Sequence, residues 1–192
     1  MKAKEIIVYF NKIKVNIRLS GVMSETAEAC VVPQYENGIS PAGVSSAFLH
    51  SPASWAIADY QKMTSNKTLN PDDAVCSHIS DNCNYRYLIQ IPVLKDGNNF
   101  SKEEIEEHTG KCAVTALIYA ADFGLKTLVM PSMNTGTLGP LSYLKAATVI
   151  ISAIQTCSDY EMMSLEEITI ALTNEKAFFA FVTAAASAKL SD

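Results

Sequence analysis

Two segments of the sequence combine small residues with hydroxyl groups in an order that could bind an anion. Residues 33–48 and residues 130–140 each follow a short apolar run and precede a helical pattern. Main-chain N–H groups at such a junction, together with the positive end of the helix dipole, favour a bound phosphate. A plain turn built around the glycines is the alternative. The candidate ligand-binding residues are Gly43, Val44, Ser45, Ser46, Asn134, Thr135, Gly136, Thr137, Leu138 and Gly139.

Metal binding and nucleophilic catalysis are the other chemistries that the residue types allow. Cys76, His78 and Cys83, with Asp81 between them, are donors that zinc accepts, but their spacing is not that of a standard structural site. We therefore expect ordinary residues flanking a strand here, with no metal and no cofactor. The sequence has no Gly-x-Ser-x-Gly elbow, and neither small-residue segment matches the phosphate loop or the dinucleotide glycine fingerprint.

The elements that position these segments follow from hydrophobic periodicity. Predicted strands cover residues 6–10, 15–19, 29–32, 85–93, 127–131 and 168–172. One predicted helix begins at a capping box formed by Ser101 and Glu104 and ends at Gly124. A second begins near Pro140, and a third covers residues 175–188. The apolar face of the second helix consists of Leu144, Ala147, Ile151 and Ile154. Strands separated by helices indicate a layered α/β domain with helices on both faces of a sheet. Ligands of such sheets favour the carboxyl ends of the strands.

Composition limits the class of protein. The 192 residues carry a net charge of −5 and are 48% hydrophobic, which predicts one folded domain over residues 1–192. The acidic balance argues against broad nucleic-acid binding, but a small phosphorylated ligand held by main-chain amides remains compatible with it. The apolar stretches are too short to cross a bilayer, so no membrane partner is expected. Five scattered cysteines favour a reducing compartment, and we predict a cytoplasmic protein.

Three stretches resemble the macro-domain family. Residues 127–139 resemble its strand that ends in Pro and enters a Gly-Thr-Gly loop, with Asn134-Thr135-Gly136 at the position of that loop. Residues 42–48 are similar to its glycine-rich loop that leads into a helix, and Glu28-Ala29-Cys30-Val31 to its Asp-Ala-Ile-Val strand. The order of elements agrees over nearly the whole chain. The resemblance implies a three-layer α/β/α fold with a mixed central sheet.

The same resemblance implies that the two loops bind ADP-ribose or a related phosphorylated nucleotide. Val22 stands where the family has an Asp that contacts adenine, and residues 32–35 replace its Asn-Ala-Ala-Asn unless Asn37 takes over. Ser45 falls where hydrolytic members often carry an acidic residue. Because these replacements remove groups that position an attacking water, the resemblance favours a binding module and leaves enzymatic activity open. The alternatives are an ADP-ribosyl or acyl-ADP-ribose hydrolase and a degenerate scaffold for a protein partner whose identity is unknown.

Overall fold

The computed structural model describes residues 4–79, 83–94, 100–135 and 139–190. The strands in these ranges are β1 (Glu5–Phe10), β2 (Ile13–Leu19), β3 (Ala29–Tyr35), β4 (Val75–His78), β5 (Tyr87–Leu94), β6 (Thr127–Pro131) and β7 (Glu167–Leu172). The helices are α1 (Gly43–Leu49), α2 (Ser54–Thr64), α3 (Lys102–Asp122), α4 (Tyr143–Ser158) and α5 (Glu175–Lys189), and a 3-10 turn covers Val22–Ser24.

The strands form one mixed sheet in the order β1-β2-β7-β6-β3-β5-β4. The pairs β2–β7, β7–β6, β6–β3 and β3–β5 are parallel, whereas the edge strands β1 and β4 are antiparallel to their neighbours. The predicted mixed central sheet is confirmed. The parallel pairing brings the carboxyl ends of β2, β7, β6, β3 and β5 to one edge of the sheet, where the loops that follow them meet.

Alternating side chains of each central strand enter two different cores. In β3, Ala29 and Val31 pack with α3, α4 and α5 on one face, while Cys30 and Val32 pack with α1 and α2 on the other. This alternation is the two-residue period of a strand that is covered on both sides. The arrangement is the three-layer α/β/α fold that the resemblance implied.

Two elements were missing from the sequence prediction, and one helix begins later than expected. Helix α2 and strand β4 were not predicted. Helix α4 begins at Tyr143, because the Ser142 side chain accepts a hydrogen bond from the Lys145 N–H and acts as the N-cap. Leu144 is therefore in the first turn and is 50% exposed, so its assignment to the buried face is wrong.

Helix α3 is continuous across Gly110, and the predicted capping box at its start is present. A Cβ atom at Gly110 would lie 3.1 Å from Cγ1 of Val149, so the missing side chain lets α3 and α4 approach closely. None of the helices in the described ranges has the length and hydropathy needed to span a membrane.

Candidate functional site

A cleft of about 470 Å³ opens at the edge of the sheet where β3, β6 and β7 end. Its lining comes from the turn after β2, the segment after β3, the segment after β6, the start of α4 and the junction between β7 and α5. This volume is within the range of roughly 300–1,000 Å³ that small-molecule sites occupy. Among the described residues that line it, none carries a charge. The lining consists of main-chain groups, hydroxyls, the residues Asn134 and Asn174, and apolar surface.

The first predicted loop forms one wall of the cleft through Ala42, Gly43 and Val44. Gly43 has a φ of +66°, a conformation that strains any residue with a Cβ atom. Helix α1 starts there, and its N-cap residue, Ala42, offers no side-chain acceptor to the N–H groups of the first turn. The local sequence therefore places a helix N-terminus without a side-chain cap beside the cleft.

The buried side-chain amides of Gln34 and Gln90 connect this first loop to the sheet. Gln34 in β3 accepts a hydrogen bond from the Ser40 N–H at 2.8 Å and donates to Gln90 in β5 at 2.9 Å. Gln90 in turn donates to the carbonyl of Ala56 in α2 at 2.9 Å. Both glutamines are fully buried, and Ser40 lines the cleft. We call Gln34 and Gln90 the glutamine relay, because it joins β5, β3 and α2 to the cleft wall.

Tyr60 fixes the end of β3, beside the glutamine relay. Its hydroxyl donates to the Tyr35 carbonyl at 2.8 Å, and burial raises the pKa of Tyr60, so the phenol stays protonated and remains a donor. Strand β3 continues to Tyr35, three residues beyond the predicted end at Val32. Pro33 and Gln34 therefore belong to the strand and not to the loop.

The second predicted loop is anchored by Asn134. This residue has a φ of +54°, and its side-chain amide donates to the Val93 carbonyl at 3.0 Å and to the Thr109 hydroxyl at 2.7 Å. The Asn134 carbonyl accepts from the Leu141 N–H at 3.0 Å. The Asn134 side chain thus has a structural role inside the domain. Beside it, Thr135 lines the cleft with its hydroxyl 2.9 Å from that of Ser132.

Beyond Thr135, the structure describes the second loop at Gly139 and Pro140. Gly136, Thr137 and Leu138 lie outside the described residues. A Cβ atom at Gly139 would overlap the main-chain carbonyl group of Asn134, so this position requires glycine for a close approach of the backbone. The two ends of the loop therefore pack directly on each other.

Two of the predicted ligand residues lie behind the first loop. Ser45 is buried in α1, and its hydroxyl has no hydrogen-bond partner among the described residues. Ser46 follows it on the same helix, and neither is among the described residues that line the cleft. Tyr35 and Met133, which could have filled the site, are not among those lining residues either, and Met133 belongs to the core beside α3 and α4.

Among the residues of the remaining walls, the family resemblance had pointed only to Val22. Asn174 caps α5 by accepting from the Ala177 N–H at 2.8 Å and donates to the Tyr143 hydroxyl at 2.9 Å. Asn174 and Tyr143 both line the cleft. Val22, in the turn after β2, lines it as well, and its carbonyl accepts a hydrogen bond from the Tyr85 hydroxyl. An Asn between a strand and a helix is an N-cap signal that could have identified Asn174.

The candidate zinc ligands lie away from the cleft. Cys76 and His78 are in β4. The His78 ring packs edge-on against the Tyr87 ring, with 5.1 Å between the ring centroids. Asp81 lies outside the described residues. Burial raises the pKa of Cys76 to about 11, which keeps the thiol protonated at neutral pH. Within the described ranges, no three His, Cys, Asp or Glu side chains are grouped to hold a metal ion.

Comparison with known proteins supplies the fold family. No family model and no curated protein matches the chain. A solved macrodomain of Oceanobacillus iheyensis with ADP is similar over 100% of both chains, with 16% identity and a TM-score of 0.86. A Trypanosoma brucei macrodomain in complex with ADP-ribose is similar over 88% of this chain and 68% of its own, with 15% identity and a TM-score of 0.69. These likenesses show that the chain has the macrodomain fold.

Proposed function

We propose that the protein binds ADP-ribose or a related phosphorylated nucleotide in the cleft. The observation that carries this proposal is that segments after β3 and β6, which lie far apart in sequence, contribute small residues to one cleft. In this proposal the main-chain amides of Gly43, Val44 and Thr135 hold the diphosphate. Gly43 and Gly139 allow the ligand and the loops to approach closely because neither carries a side chain.

The neutral lining supports recognition through the main chain. A diphosphate can be held by N–H groups and the end of a helix dipole without a cationic side chain. The hydroxyls of Ser132 and Thr135 bond to each other, which leaves one hydroxyl proton of the pair as a further donor beside the second loop. The similar macrodomains of O. iheyensis and T. brucei hold ADP and ADP-ribose respectively, which supports the same ligand class for this cleft.

The proposal is for binding and not for hydrolysis. The described lining holds no carboxylate, imidazole or thiol that could activate a water molecule. Turnover of an ADP-ribosylated peptide, lost on changing Asn37→Ala or Ser45→Ala, would instead support the hydrolase alternative. We further propose a cytoplasmic location, and the five free cysteines support it.

Calorimetric titration with ADP-ribose tests the proposal. We expect saturable binding at one site, and no heat from folded protein at about 1 mM ligand would refute it. Val44→Asp places a negative charge in the first turn of α1, where the helix dipole tolerates it but the diphosphate does not. We expect this variant to weaken binding about tenfold or more. Ser152→Asp, at an exposed position of α4, is the matched control and should bind normally.

A further inference from the structure

Strand β1 is an edge of the sheet that lacks the usual protection against further pairing. It pairs with β2 on one side, and no strand among the described residues pairs with its other side. Natural edge strands are commonly kept very short or interrupted by Lys, Pro or a bulge. The opposite edge strand, β4, has only four residues, whereas β1 has six, in regular register and without Lys, Pro or Gly. Glu5 is the one charged residue of β1, and Arg18 pairs with it at 2.6 Å.

The main-chain groups of β1 alternate in direction along this edge. The Lys4 carbonyl accepts a hydrogen bond from the Leu19 N–H at 2.9 Å, so the even-numbered residues of this segment bond to β2. Glu5, Ile7 and Tyr9 therefore direct their N–H and C=O groups away from β2. Opposing residues of an antiparallel pair exchange both hydrogen bonds. A second copy of β1, paired in the antiparallel direction and centred on Ile7, satisfies the outward groups of all three residues.

Apolar side chains are concentrated around the same edge. Helix α5 lies alongside β1, since Lys4 pairs with Glu175 at 2.5 Å and its Nζ lies 5.7 Å from the centroid of the Phe179 ring. At the other end of α5, Lys189 lies over the Phe10 ring at 5.1 Å. Thirteen large apolar side chains are exposed in the described ranges, and five of them belong to β1 or to the outer side of α5: Ile6, Ile7, Tyr9, Phe179 and Leu190. We call these five residues the β1–α5 surface.

The charges beside the β1–α5 surface are complementary to those of a second copy. Glu175 lies in the first turn of α5 and Lys189 in its last turn. A two-fold axis at the centre of β1 brings the start of α5 in one copy towards the end of α5 in the other. Glu175 then approaches Lys189 of the second copy, and the opposite ends of the two helix dipoles face each other. Because the pattern matches itself, it favours a second copy of this chain over an unrelated partner.

We propose that two copies of the protein associate through antiparallel pairing of their β1 strands, with the outer sides of the two α5 helices packed beside the joined strands. The two seven-stranded sheets then form one continuous sheet. A standard interface uses about 20–30 residues a side, so β1 alone is too short and α5 has to supply the remaining contacts. No residue of β1 belongs to the described lining of the cleft, so the inference is independent of the proposed function.

Sedimentation equilibrium of the whole protein, without ligand, tests whether the dimer forms. We expect the average mass to rise from the 20.8 kDa of one chain towards twice that value as the protein concentration increases from about 10 to 500 μM. A protein that stays monomeric at about 500 μM would overturn the inference and leave the proposed function intact.

Amide hydrogen exchange tests whether β1 is the surface used. The outward N–H groups of Ile7 and Tyr9 should exchange about tenfold more slowly at the highest protein concentration than at the lowest. The N–H of Val8 bonds to β2 and should be protected equally at both concentrations. Dimer formation without slower exchange at Ile7 and Tyr9 would overturn the inference.

Two variants separate the strand from the helix. Ile7→Pro removes an outward N–H without removing a hydrogen bond to β2, so we expect a folded protein whose dimer is at least about tenfold weaker. Phe179→Ser leaves β1 unchanged and should weaken the dimer about threefold or more. Phe123→Ser is the control, because Phe123 is 50% exposed, compared with 56% for Phe179, and packs against Tyr87 in β5, away from β1.

The control should dimerise like the unmodified protein, and circular dichroism verifies that each variant is folded. A folded Ile7→Pro protein that dimerises normally would overturn the inference. If Ile7→Pro does not fold, a folded Phe179→Ser protein with the same dimer affinity as the Phe123→Ser control would overturn it instead.

Discussion

The glutamine relay gives the sharpest prediction about what holds the cleft together. Gln34→Leu keeps nearly the same side-chain volume but removes both hydrogen bonds of Gln34 within the relay. The Ser40 N–H then loses its acceptor and the Gln90 side-chain oxygen loses its donor, and both residues are almost completely buried. Leaving a buried polar group unpaired costs about 1–3 kcal/mol. With two such groups, we expect the free energy of unfolding to fall by roughly 2–6 kcal/mol.

A double-mutant cycle separates the relay from simple loss of packing. Gln90→Leu removes the partner of the Gln34 side-chain N–H and one donor to the Ala56 carbonyl, while the double variant leaves the Ser40 N–H unpaired and the Ala56 carbonyl without its Gln90 donor. The loss in the double variant should therefore be smaller than the sum of the two single losses, by roughly 1–3 kcal/mol. Gln61→Leu, at an exposed position of α2, is the control and should change the free energy by less than about 0.5 kcal/mol.

Urea unfolding followed by circular dichroism measures these free energies. The same variants should also bind ADP-ribose more weakly, because Ser40 belongs to the cleft wall. Additive losses, or a Gln34→Leu variant as stable as the Gln61→Leu control, would refute the structural role of the relay.

Three further predictions concern the loops and a buried thiol. Gly43→Ala should lower the free energy of unfolding by about 1 kcal/mol, because the residue has a positive φ. Gly38→Ala is the control, since Gly38 has no such φ and no atom lies near the position of its Cβ. Equal effects of the two variants in urea unfolding would contradict this prediction. Gly139→Ala should lower the free energy of unfolding by about 1–3 kcal/mol, because the added methyl group overlaps the Asn134 backbone. The variant should also bind ADP-ribose more weakly in calorimetry, and full affinity would contradict this close contact. Burial raises the pKa of Cys157 from 9.0 to about 11, so its stabilising contribution is present below pH 9.0 and disappears as the pH rises to about 11. Urea unfolding across this window should show a smaller decline for Cys157→Ala than for the unmodified protein, and equal declines would refute the assignment.

The sequence predicted the central sheet and the two loops because their signals are local. Strand β3 begins with the apolar run Ala29–Val32 and β6 contains the apolar run Leu128–Met130, and small residues at the following junctions mark loops beside helices. Strand β4 escaped prediction because its four residues include Ser77 and His78, which lack the apolar alternation of a strand. Helix α2 buries Ala56, Ile57 and Tyr60 at helical spacing, but it exposes Trp55 and its N-cap residue, Ala53, offers no side-chain cap, so the sequence carries no start signal for it.

The interior of the site is held together by hydrogen bonds between residues that are distant in sequence. Gln34 and Gln90 are 56 positions apart, and nothing in either strand pattern indicates that the two amides meet. Asn134 carries the positive φ of a turn residue, but only the positions of Val93 and Thr109 direct its side chain inward. Sequence reasoning therefore located the second loop without identifying which of its groups face a ligand.

Amide chemical shifts during titration with ADP-ribose test most directly whether both loops bind one ligand. We expect the largest changes at the N–H groups of Gly43, Val44 and Thr135, and these changes should saturate together with a single dissociation constant. Val44→Asp should reduce all of them in parallel. Saturable binding with its largest changes elsewhere, for example along the exposed edge strand β1, would contradict the assignment of the cleft.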